Sequence, residues 1–101
     1  MIRVSVMYPN QEGNTFDMEY YCTSHMPMAQ RLLGATEFSV DRGIGGGAPG
    51  SPAPYLAIGY LLFDSLEAFQ KTIVAHGPEL MSDIPNYTNA SPSIQISEVK
   101  L

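Results

Sequence analysis

The chain of 101 residues has no tryptophan, one cysteine and only five lysines and arginines together. The lone Cys22 excludes an intramolecular disulfide and is compatible with a reducing compartment. Set against ten Asp and Glu, the five cations leave a formal charge of −5. That balance repels a phosphate backbone or an anionic bilayer surface, so neither nucleic acid nor membrane is an expected partner. No apolar run approaches the roughly 20 residues that a membrane-spanning helix needs. The segment Met1–Tyr8 is too short and too alternating for a signal peptide, and a cytoplasmic protein is expected. Only His25 and His76 could anchor a metal through imidazole. They stand far apart, without Cys or acidic clusters at ligand spacing, so no metal or other cofactor is expected. One histidine would suffice for haem, but nothing else points to it.

What is present belongs to a folded domain. Hydrophobic residues make up 45% of the chain and charged residues 15%, enough for one domain, 1–101, with one modest core. Residues 2–8 alternate Ile2, Val4, Val6, Tyr8 against Arg3, Ser5, Met7, the period of a strand. Turn chemistry follows over Pro9–Asn14, and Asn14 or Thr15 can cap the helix beyond it. That helix is expected from about Phe16 to Leu33, with a kink or break after Ser24-His25 where Pro27 removes a hydrogen bond.

A second strand is expected over 36–43, then a long mobile connection over 43–54, where five glycines and three prolines leave no regular pattern. This loop lacks the Lys-Ser/Thr pair that completes a phosphate-binding loop. The strand 55–63 is followed by Asp64-Ser65-Leu66-Glu67, a capping box. The helix it opens is expected to end at His76, before Gly77-Pro78, with the imidazole near the helix C-terminus. A polar stretch leads to a last strand, 93–100. The order β-α-β-β-α-β gives an α+β, ferredoxin-like fold: a four-stranded antiparallel sheet with both helices on one face.

Strand 55–63, Tyr-Leu-Ala-Ile-Gly-Tyr-Leu-Leu-Phe, is apolar on both faces. Two helices cover only one of them, so a homodimer packing sheet on sheet is expected. Alternatively, segment 77–92 could fold beneath the bare face.

The series Val6-Met7-Tyr8-Pro9, Gly13, Phe16-Asp17 and Tyr20-Tyr21, followed by His25 and Pro27, resembles the EthD family, named for ethyl tert-butyl ether degradation. The resemblance implies a dimeric α/β barrel. It also implies a catabolic, oxygenase-linked setting in which a small hydrophobic or aromatic metabolite is bound and transformed without a metal, or carried for a partner oxygenase. Relatives in polyketide tailoring have proposed decarboxylase or dehydratase roles.

On a helix Asp17, Tyr21 and His25 share one face, and a histidine beside a phenol and a carboxylate is an acid/base group. These three are the catalytic candidates; Tyr8, Tyr20, Met28 and Tyr60 are the candidates for ligand contact. A structural reading stands beside this one. In it Tyr21 is core, Asp17 is a dipole partner in the first turn, and His25 is the hydrogen-bonded cap of a broken helix.

Overall fold

The computed structural model describes all 101 residues. Strands β1 (Ile2–Pro9), β2 (Glu37–Arg42), β3 (Tyr55–Phe63) and β4 (Ser93–Glu98) form one antiparallel sheet in the order β2-β3-β1-β4. Between β1 and β2 lie α1 (Met18–Tyr20), a π-helical turn (Tyr21–His25) and α2 (Met26–Leu33). Helix α3 (Leu66–Asp83) and a 3-10 turn (Ile84–Asn86) connect β3 to β4. The fold is α+β and ferredoxin-like, and its shortest dimension of 19 Å is that of one sheet and one helical layer.

Alternation decides which side chains enter the core. Val4 and Tyr8 of β1 and Ala57, Leu61 and Phe63 of β3 are buried beneath the helices. In register, Val4 lies between Leu61 and Ile96, and Val6 between Gly59 and Ile94. The other face carries Met7, Leu56, Ile58, Tyr60 and Leu62, all partly exposed. Segment 77–92 does not fold beneath that face. It docks on the helical side, where Asp17 N–H donates to the Tyr87 carbonyl (2.7 Å) and Thr88 Oγ1 to the Thr15 carbonyl (2.6 Å). Tyr87, Thr88 and Ala90 are buried there.

Both helices depart from the sequence reading. Pro27 does not break the first: Tyr20, Tyr21, His25 and Met26 all keep right-handed helical angles. Instead the turn widens, with Met26 N–H donating to the Tyr21 carbonyl five residues back. The wider turn relaxes the contact a proline ring otherwise makes with the carbonyl four residues before it. The cap of this helix is Asp17, not Asn14 or Thr15; its Oδ1 accepts from Tyr20 N–H at 3.0 Å. Gly34, at φ 73°, closes the helix in the left-handed region.

Helix α3 starts at Leu66, but its cap is Ser65, whose Oγ accepts from Ala68 N–H (3.1 Å), not Asp64. Ala68 therefore takes the third helical position, and the Asp64/Glu67 capping box does not form. The helix then continues through Gly77-Pro78 to Asp83, so His76 is mid-helix, 3.8 Å from Glu79. The hydrogen bond lost at Pro78 falls on the carbonyl of Val74. That residue is 82% exposed, and water can serve the carbonyl. Beyond the proline, Leu80 returns to the core, which favours the longer helix over the local stop signal.

Candidate functional site

Between the helices and the sheet lies a cavity of about 350 Å³, near the lower end of the ~300–1,000 Å³ common for ligand sites. Val4 and Val6 form its floor, Met26 and Ala29 of α2 one wall, and Ile73 and Leu80 of α3 the other. Small residues make the room: Ala29 and Gly77, both buried, stand where larger side chains would fill it. Met81 and Ile94 line the cavity yet are 69% and 62% exposed, so its mouth lies between α3 and β4.

His25 lines this cavity and is buried. Its Nδ1 lies 2.9 Å from Oδ2 of Asp83, at the end of α3. Oδ1 of the same carboxylate accepts from Tyr20 Oη (2.7 Å) and Asn86 Nδ2 (2.9 Å). Burial opposes the charge on Asp83, but the bonds from Tyr20, Asn86 and His25 outweigh it and hold the carboxyl below its ordinary value. An ionised carboxylate only accepts, so His25 Nδ1 carries the proton, and the neutral ring has its lone pair on Nε2. The ring's hydrogen bond engages Nδ1 alone, and Nε2 is not among the polar atoms sealed from solvent.

An aromatic cluster holds the imidazole in place. The His25 ring is stacked on Tyr21, centroids 5.5 Å apart and planes 14° from parallel, and lies 4.6 Å from Tyr87. Tyr8 and Tyr87 share a hydrogen bond between hydroxyls at 2.6 Å. The Tyr21 hydroxyl is buried without a partner and rests against Gly59, where a β-carbon would overlap it. Burial pushes all three phenols above their ordinary value, so they are un-ionised at neutral pH.

Of the seven residues singled out from sequence, His25, Tyr21 and Tyr8 meet at the cavity. Asp17 does not join them: it is exposed and caps the helix, and the carboxylate beside His25 is Asp83. Tyr20, one residue round the helix from Tyr21, turns to Asp83 and only supports the site. Met28 is absent from the cavity and Met26 lines it, because two helical residues differ by about 200° in direction. Tyr60 lies on the opposite face of the sheet, since Gly59 and Leu61 beside it face the helices. Asp83 and Tyr87 were missed because both follow Gly77-Pro78. A signal did exist in the spacing of Phe69, Ile73, Gly77, Leu80 and Ile84, an apolar stripe that passes through the supposed stop. No three His, Cys, Asp or Glu side chains gather to hold a metal.

The EthD domain model matches residues 13–91, the span that supplies both His25 and Asp83. The chain belongs to the EthD family. An EthD-like protein from Ralstonia eutropha is 43% identical to this EthD chain, with 99% of this chain and 92% of that one covered and a TM-score of 0.94. An ethyl tert-butyl ether (EthD) family protein from Bacillus halodurans is 20% identical over 99% of both chains, with a TM-score of 0.68. HapK from Hahella chejuensis is similar in fold, at 13% identity and a TM-score of 0.64 over 99% of this chain and 93% of its own. No curated protein matches the chain.

Proposed function

We propose that this EthD chain binds a small hydrophobic or aromatic metabolite in the cavity between helices and sheet, and transforms it by proton transfer at His25 without a metal. The carrying observation is the meeting of an apolar cavity with one open, oriented imidazole nitrogen. With Nδ1–H held by Asp83, Nε2 is the base that takes a proton from the ligand and returns it at another atom. Membership of a family named for ether degradation supports a catabolic setting. The working unit is a homodimer whose bare sheet faces pack together, because Leu56, Ile58, Tyr60 and Leu62 have no second layer above them.

The alternative is a carrier that holds the same metabolite for a partner oxygenase, using shape and apolar surface alone. Molecules retained by the purified chain, identified by mass spectrometry, supply the substrate for the test. An acid/base role predicts that His25→Ala and His25→Gln both lower turnover by roughly 10²–10⁴-fold, since glutamine cannot titrate. A carrier gives no turnover, and its His25→Gln variant binds almost as the native chain does.

A further inference from the structure

The cavity discriminates among ligands on grounds other than size. No Lys, Arg, Asp or Glu lines it. Of its two phenols, Tyr8 has its hydroxyl engaged by Tyr87, and Tyr21 has its hydroxyl sealed against Gly59. Of the lining side chains, His25 alone has a polar atom, Nε2, that is neither hydrogen-bonded nor sealed, and in the neutral ring that atom accepts but does not donate.

We propose that the ligand is an uncharged, weakly acidic hydroxyl compound, a phenol or an enol, that donates a hydrogen bond to His25 Nε2, while carboxylates and phosphates are rejected. This deepens, and rests on, the reading of the cavity as the ligand site. An anion entering it would leave water with no cation to meet it. It would also face the imidazole that backs onto the Asp83 carboxylate, whose charge is fixed by three hydrogen bonds. An ether or hydrocarbon of the same shape avoids that penalty, but it strips Nε2 of water and leaves it unpaired. A neutral hydroxyl meets both conditions at once. Its O–H supplies the proton that Nε2 lacks, and its carbon skeleton fits walls that are aliphatic, thioether and aromatic.

Three compounds with one ring system separate these cases: 1-naphthol, 1-methoxynaphthalene and 1-naphthoate. Each is titrated calorimetrically into the full-length chain at mildly alkaline pH, where the naphthol is still un-ionised. Naphthol is expected to bind about tenfold more tightly than methoxynaphthalene, with naphthoate weaker than both. His25→Phe should bring naphthol and methoxynaphthalene to the same affinity, and Asp83→Asn should bring naphthoate closer to naphthol. If His25→Phe fails to fold, the three affinities of the native chain still decide. Naphthoate binding as tightly as naphthol overturns the charge selectivity, and methoxynaphthalene doing so overturns the hydrogen bond. In either case the cavity remains a ligand site. If none of the three binds, the cavity is not such a site, and the proposed function falls with the inference.

Discussion

Asp83 sits behind the imidazole and takes hydrogen bonds from Tyr20, His25 and Asn86, three donors from three separate turns. The arrangement orients His25 and at the same time ties α3 to the first helix. Because it holds the Asp83 carboxyl below its ordinary value of 3.8, the stabilisation is complete above that pH. It is lost as pH falls through the lower value of the folded state. The melting temperature should therefore drop more steeply below about pH 4 in the native chain than in Asp83→Asn, which has nothing there to titrate. Parallel curves for the two proteins between pH 5 and pH 2 would show that Asp83 contributes no such linkage.

At the scale of the elements, two segments that the sequence marks as irregular behave differently. Residues 43–54 form no helix or strand, and the loop is held by a few bonds, such as Gly46 N–H to the Ser51 carbonyl (3.0 Å) and Asn10 N–H to the Pro54 carbonyl (3.0 Å). Residues 79–83 belong to α3 and carry Leu80 into the core. Amide exchange should be fast in the loop and slow in the last turns of α3. Equal protection of the two would make the loop a packed element, and fast exchange at 79–83 would make the end of α3 frayed.

The strands were legible because side-chain alternation is local: β3 is found at its expected limits and the other strands within a residue or two. The first helix stops at Leu33 as expected, but the end of α3 was not legible. Gly77-Pro78 is a local stop signal overridden by burial of residues beyond it, and a π-helical turn that absorbs Pro27 leaves no distinct local pattern. The site was half legible for the same reason. His25 and Tyr21 are helical neighbours, whereas Asp83 lies 58 positions from its partner and is brought there only by the whole fold.

At the scale of the molecule, a two-layer body leaves the outer face of β3 without cover. Burying several hundred Å² of it against a second copy at roughly 25 cal/mol per Å² gives on the order of 10 kcal/mol before association costs. Sedimentation at micromolar concentration should report twice the chain mass, and Ile58→Lys should lower it to one. A native monomer that stays monodisperse at that concentration would contradict the paired-sheet assembly.

The site likewise belongs to the whole molecule, since β1, the first helix and α3 each supply part of it. The chemistry of the site turns on His25 keeping its proton on Nδ1, against Asp83, and offering Nε2 to the cavity. Nitrogen NMR of the chain labelled with ¹⁵N-histidine reads this directly. His25 is predicted to show a protonated Nδ1 and an unprotonated Nε2 in the neutral ring, with the Nε2 resonance moving when 1-naphthol is added. A neutral His25 protonated on Nε2, or one whose nitrogens do not respond to the naphthol, would contradict it.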